Sequence, residues 1–211
     1  MQSKTCYIFG AGEYGTDTYK SLSLKDGDLI IAADGGLAFL QQQGITPDVI
    51  MGDFDSCKEI PKEANVLVYP VKKDDTDMRL ALKYGLKQGC KVFCLYGGTG
   101  GRMDHTLANI QLLAWLAGQG AQGLLYGVGY TMTAIANTTY TLKAPAKGTR
   151  LSVFCYGKEA QGVTIEGCAY NATDATWNNQ YPIGVSNAFA EDTAHITVQK
   201  GTLLLYWEEP V

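Results

Sequence analysis

Short apolar runs alternate with helix-length segments through roughly the first 127 residues, and after about residue 129 that alternation stops. The runs are Thr5–Phe9, Leu29–Ala33, Val49–Met51, Val66–Tyr69, Val92–Tyr96 and Gly123–Tyr126. Continuous apolar stretches of this length suit parallel strands covered on both faces. Between them lie Leu37–Gln43, Asp77–Gln88 and Asp104–Gly118. In the second, Met78, Ala81, Leu82, Gly85 and Leu86 recur at helical spacing and Gly89 supplies a stop. In the third, Leu107, Ile110, Leu113 and Ala114 repeat the stripe. The alternation predicts an α/β domain over residues 1–128, doubly wound around a mainly parallel sheet.

The remainder has another texture. Thr131–Ala136, Thr139–Lys143, Leu151–Tyr156, Val163–Glu166, His195–Gln199 and Leu203–Glu208 are short and punctuated by glycines. Ile196 and Val198 alternate with Thr197 and Gln199, as in a half-buried strand. An all-β sandwich over residues 129–211 is the expected second domain.

At 211 residues, 46% hydrophobic and 18% charged, the chain can bury a substantial core. A net charge of −4 argues against non-specific nucleic-acid binding. The apolar runs fall short of the roughly 20 residues of a membrane span, and the first residues lack the apolar core of a signal peptide. A cytoplasmic location is therefore the expectation. The six cysteines show no C-x-x-C pair or zinc-finger spacing, which suits free, buried thiols.

Three blocks carry chemistry. Asp53 and Asp55 sit one residue apart in Met51-Gly52-Asp53-Phe54-Asp55-Ser56, so in extended chain they aim at one place. Asp74-Asp75-Thr76-Asp77 opens the next helix, where one acid could serve as an N-cap and the others bind metal. Gly97-Gly98-Thr99-Gly100-Gly101-Arg102-Met103-Asp104-His105 joins a buried strand to a helix. Its glycines let backbone N–H groups approach phosphate, and Arg102 can fork onto phosphate oxygens. Asp104 could cap the helix or touch a nucleotide, and His105 could do the latter or be structural. Carboxylates gathered this closely call for a hard cation such as Mg²⁺ that also bridges to phosphate. The loop lacks the Lys-Ser/Thr ending of a Walker-type site. A fourth pattern, Gly10-Ala11-Gly12-Glu13-Tyr14-Gly15 with Asp34 after the next strand, satisfies the dinucleotide fingerprint. It leaves the acids unexplained; its glycines could make a tight turn or line a different nucleotide site.

Taken together, Ala33-Asp34-Gly35-Gly36, Pro47–Ser56, Asp75-Thr76-Asp77, Gly97–His105 and Gly184-Val185-Ser186-Asn187 resemble the bacterial thiamin pyrophosphokinase family. The resemblance implies an α/β catalytic domain, a carboxyl-terminal β-sandwich that binds thiamin, and a homodimer. It implies transfer of pyrophosphate from ATP to thiamin, releasing AMP. Catalysis and Mg²⁺ then fall to Asp53, Asp55, Asp75 and Asp77. Nucleotide binding falls to Asp34, Gly35, Gly98, Thr99, Gly100, Gly101, Arg102, Asp104 and His105. Ser186 and Asn187 help hold thiamin in a pocket between subunits. Trp177 could stack on a flat cationic ring or simply pack. Competing readings are transfer to another alcohol, nucleotide hydrolysis, a nucleotide sensor and a nicotinamide oxidoreductase.

Overall fold

The computed structural model describes residues 4–15, 24–52, 65–68 and 75–209. Asp53, Asp55, Ser56 and Asp74 lie outside them. The chain divides into two compact units, Met1–Leu112 with Gly123–Val128 and Leu113–Gln122 with Gly129–Val211.

The first unit alternates as expected. Its elements are β1 (Thr5–Phe9), β2 (Leu29–Ala33), α1 (Gly36–Gln42), β3 (Val49–Gly52), β4 (Asn65–Val68), α2 (Asp77–Lys87), β5 (Val92–Tyr96), the part of α3 (Met103–Gly118) up to Leu112, and β6 (Gln122–Gly127) from Gly123 on. The strands are ordered β6-β5-β1-β2-β3-β4. Pairings of β1 with β2 and β5, of β2 with β3 and of β3 with β4 are all parallel. Ile8, Ile31, Ile50 and Leu95 are fully buried, as continuous apolar strands require.

Helix α2 shows why its sequence folds locally. The Thr76 hydroxyl accepts from the Arg79 N–H at 3.2 Å, capping the amino terminus. Asp77 in the first turn and Lys87 in the last complement the helix dipole. Gly89, at φ +84°, turns the chain after the helix. The cap is therefore Thr76, whose hydroxyl stands three residues before that N–H, rather than Asp75. In α3 the expected stripe holds at Leu113, which is fully buried, and fails at Leu107, which is 57% exposed; Asn109, Leu112 and Leu116 are buried as well.

The second unit contains β7 (Tyr130–Ala136), β8 (Thr139–Lys143), β9 (Arg150–Cys155), β10 (Glu159–Glu166), β11 (Ala172–Asn178), β12 (Asn187–Ala188), β13 (Thr193–Thr197) and β14 (Thr202–Glu208). They form two antiparallel arrays, β12-β9-β14-β7 and β11-β10-β13-β8, a sandwich-like arrangement. Val163, Ile165, Ala194 and Ile196 from one array, and Leu151, Val153, Leu203 and Leu205 from the other, are buried. Strand β11 and the two-residue β12 have no counterpart among the expected strands. β11 is a largely exposed edge strand, so it carries no apolar alternation to read.

Candidate active site

The strand order reverses at β1: β2, β3 and β4 extend to one side, and the chain then returns to place β5 and β6 on the other. In an open parallel sheet such a reversal leaves a crevice at the carboxyl ends of the two central strands. A cavity of about 380 Å³ opens there, lined by Gly10, Ala11 and Gly12 after β1 and by Ala33 and Asp34 at the end of β2. Thr76, Asp77 and Met78 from the start of α2 also line it, as do Gly97, Gly98, Gly100, Gly101 and Arg102 after β5. His105, Ala108 and Asn109 on α3 complete the wall.

The two glycine segments are zipped together. Gly10 N–H donates to Tyr96 O at 2.8 Å, Gly12 N–H to Gly97 O at 2.7 Å and Glu13 N–H to Thr99 O at 2.8 Å. A Cβ on Gly12 would lie 2.3 Å from Thr99 O, and Gly97 has φ +60° with the Tyr14 ring against it. Backbones can approach this closely only without side chains. The amino-terminal glycines thus line the cavity by packing on the second loop, one of the two roles left open for them. Tyr14 is held in place by an aromatic column: it stacks on Phe39 at 3.6 Å, Phe39 on Phe9 at 5.9 Å, Phe9 on Tyr96 at 5.1 Å and Tyr96 on Tyr126 at 4.7 Å. The Tyr14 hydroxyl donates to Gly10 O, and burial pushes its phenol pKa up, which keeps it protonated as a donor. By contrast, the N–H groups of Gly98, Thr99 and Gly100 donate none of the loop hydrogen bonds found among the described residues. Consecutive backbone donors beside a helix start are suited to an anion.

Of the expected acids, Asp34 and Asp77 line this cavity. Asp34 holds φ +52° with its N–H donating to Met51 O at 2.8 Å, so the turn fixes its backbone. Asp75, also expected to bind metal, carries an ion pair in this structure. Its Oδ1 accepts from Arg79 Nη1 at 2.6 Å and its Oδ2 from Lys83 Nζ. The Lys83 hydrogen bond, with the Arg79 charge beside it, lowers the Asp75 pKa. A carboxyl depressed in the folded state stabilises above its unfolded pKa, and that stability is lost as pH falls through the folded value. Asp75→Asn should therefore flatten the acid side of the stability profile below about pH 4, as seen in melting temperatures recorded from pH 7 downwards; an unchanged acid limb would contradict the pairing. Among the described residues no group of three or more His, Cys, Asp and Glu could hold a metal ion.

Arg102 and Asp104 face each other across the helix start, Nη2 to Oδ2 at 2.6 Å and Nε to Oδ1 at 3.1 Å. That hydrogen bond raises the Arg102 pKa and lowers that of Asp104. Asp104 also accepts from the His105 N–H at 3.0 Å. Both side chains are exposed, so a phosphate can compete for the guanidinium at small cost. Gly35, Thr99 and Asp104 are not among the lining residues. Gly35 packs so that a Cβ there would lie 2.9 Å from Ala11 Cβ, and Thr99 is buried.

In the second unit, Trp177, Tyr170, Ile183, Val185 and Asn187 line a cavity of about 260 Å³. Trp177 is buried, and a Cβ on Gly184 would meet its ring at 3.0 Å. Asn187 is 4% exposed and brackets Tyr170: Nδ2 donates to Tyr170 O at 2.6 Å and Oδ1 accepts from Tyr170 N–H at 2.9 Å. Oδ1 also accepts from Ala188 N–H at 2.9 Å. Ser186 is exposed at φ +59°, its N–H donating to Ser152 Oγ at 3.1 Å. Asn109 in the first unit, and Tyr170, Ile183 and Val185 here, were not foreseen. The only sequence signal for Asn109 was a polar residue four places after His105 on a leucine-rich helix.

Comparison with known proteins agrees with this organisation. Residues 21–123 match the model of the thiamin pyrophosphokinase catalytic domain, and residues 139–203 that of the thiamin pyrophosphokinase vitamin B1 binding domain. The chain is 45% identical to a thiamine pyrophosphokinase of Bacillus subtilis over 91 residues, 40% of this chain and 42% of that one. A shorter stretch of 49 residues is 47% identical to a 6-hydroxymethyl-7,8-dihydropterin pyrophosphokinase of Pyrococcus furiosus, 23% of this chain and 21% of that protein. Both alignments span less than half of the relative's length. A crystal structure of thiamine pyrophosphokinase from Bacillus subtilis superposes with a TM-score of 0.88 over 99% of this chain and 100% of that one, at 24% identity, which establishes the fold. With both halves matched in order by models of one family, the chain belongs to the thiamin pyrophosphokinases.

Proposed function

We propose that this protein transfers the pyrophosphoryl group of Mg-ATP to the hydroxyl of thiamin, giving thiamin diphosphate and AMP. The observation that carries the reading is the cavity at the strand-order reversal, where Gly98 and Gly100, whose N–H groups bond to no group among the described residues, and the carboxylate Asp77 meet. The hydroxyl oxygen attacks the β-phosphorus and gives up its proton to solvent, the bond from that phosphorus to the α-phosphate oxygen breaks, and AMP leaves. Such a reaction asks for in-line placement and neutralisation of phosphate charge rather than covalent help from the protein. The loop N–H groups and Arg102 supply donors for the phosphates. Asp77 and Asp34 offer hard oxygen donors in one cavity, which fits Mg²⁺, and Asp53 and Asp55 complete the set by resemblance. The ion, when bound, would neutralise phosphate charge. Ser186, Asn187 and Trp177 belong to the acceptor's side, with the apolar cavity beside Trp177 suited to a flat ring.

The reading includes a homodimer. Exposed Tyr170, Tyr181, Ile183 and Val185 offer apolar surface for it. A reducing cytoplasm suits the five described cysteines, which are all free. No helix among the described residues is long and apolar enough to cross a membrane.

Incubation with ATP, Mg²⁺ and thiamin, followed by separation of products, tests the reaction. AMP and thiamin diphosphate are expected in equal amounts; ADP as the nucleotide product would contradict it. Arg102→Lys keeps the charge but loses the planar fork, so ATP affinity and turnover should both fall. Unaltered values for both would show that the arginine is no phosphate clamp.

A further inference from the structure

Asn109 is a polar side chain, 7% exposed, among the buried leucines of α3. Its Nδ2 donates to Gly98 O at 2.6 Å, a buried bond between helix and loop. The neighbouring carbonyls are held as well, Gly97 O by Gly12 N–H and Thr99 O by Glu13 N–H. Three consecutive carbonyls of the loop are thus pinned by protein donors, two of them backbone groups and the middle one a side chain. Each trans peptide is planar, so fixing the Gly98 carbonyl also fixes the direction of the Thr99 N–H in the same unit. A run of glycines would otherwise sample many directions. The pinned carbonyls and the N–H groups left without a partner among the described residues belong to the same peptide units.

We propose that Asn109 is a positioning residue for the triphosphate: by holding the Gly98 carbonyl, it fixes the Gly98–Thr99 peptide and with it the shape of the phosphate-facing loop whose Gly98 and Gly100 line the cavity. The inference rests on the nucleotide reading of this cavity and assigns Asn109 no contact with the reacting atoms. Removing the donor should therefore weaken a ligand in proportion to the phosphates it offers the loop.

The test compares the full-length protein with Asn109→Asp, which keeps the shape but puts an oxygen against the carbonyl, and with Asn109→Ala, which removes the group. Calorimetric titration with ATP and separately with AMP, both with Mg²⁺, gives the affinities, and thermal melting reports the fold. In whichever variant still melts cooperatively, ATP affinity should fall at least about tenfold and AMP affinity less than about threefold, a difference of the size of one lost hydrogen bond. The KM for thiamin should stay near wild type. Equal weakening of ATP and AMP, or unchanged ATP affinity in a folded variant, would overturn the proposal. Wild-type protein that prefers ATP over AMP but makes no thiamin diphosphate would sink the proposed reaction and leave this inference standing.

Discussion

Asp77→Asn should lower turnover by at least about a hundredfold, the scale of losing a key electrostatic group in an active site. The substitution keeps the side chain's size and removes the charge at the one described acid that stands both in the cavity and in the first turn of α2. Folding should survive. Losing a favourable charge at a helix amino terminus costs only about 0.3–1 kcal/mol. Asp75→Asn supplies the contrast: its carboxylate is occupied by Arg79 and Lys83, so turnover should stay near wild type. Steady-state kinetics at saturating Mg²⁺ decide the matter. A normal rate for Asp77→Asn would remove it from the machinery, and a collapse for Asp75→Asn would restore that residue to the metal set. Asp53→Asn and Asp55→Asn are expected to behave like Asp77→Asn.

Gly36→Ala should be the most damaging small substitution in the first unit. A Cβ there would stand 1.9 Å from Phe9 O and 2.4 Å from Phe9 C, both backbone atoms that cannot turn aside. Relief requires α1 to move off the end of β1, where Gly10 begins the cavity wall. A loss of more than about 4 kcal/mol is expected, the range reserved for direct disruption of a core. Gly118→Ala is the matched control. Nothing lies within 4 Å of its added Cβ, at the last residue of α3, so alanine should be neutral or stabilising by up to about 1 kcal/mol. Denaturant melts of both variants check this. A Gly36→Ala protein as stable as wild type would mean that helix and strand are not packed as described.

What the sequence revealed follows from burial. Strands β1, β2 and β5 were legible to the residue because each is an unbroken apolar run covered on both faces. Strand β11 was hidden because Ala172-Thr173-Asp174-Ala175-Thr176 sits at a solvent-facing edge and needs no apolar face. The stripe in α3 held at Leu113 and failed at Leu107, because the two look alike in sequence, and packing, not hydrophobicity, decides which one the core accepts. At the site, the Gly97–Arg102 loop and Asp77 announced themselves through residue types that phosphate and metal chemistry need. Asp75 looked the same as Asp77; in the structure Asp75 pairs with Arg79 and Lys83, one and two turns along, and Asp77 lines the cavity. Asn109 gave no comparable signal, since its work is a bond to a backbone carbonyl, which any asparagine can make.

The most direct test of the account follows the β-phosphorus. ATP labelled at that atom is incubated with the protein, Mg²⁺ and thiamin, and the label is traced through the separated products. Pyrophosphoryl transfer predicts that the label moves into thiamin diphosphate in step with AMP release. Label retained in ADP, with thiamin left unphosphorylated or carrying a single phosphate, would contradict it.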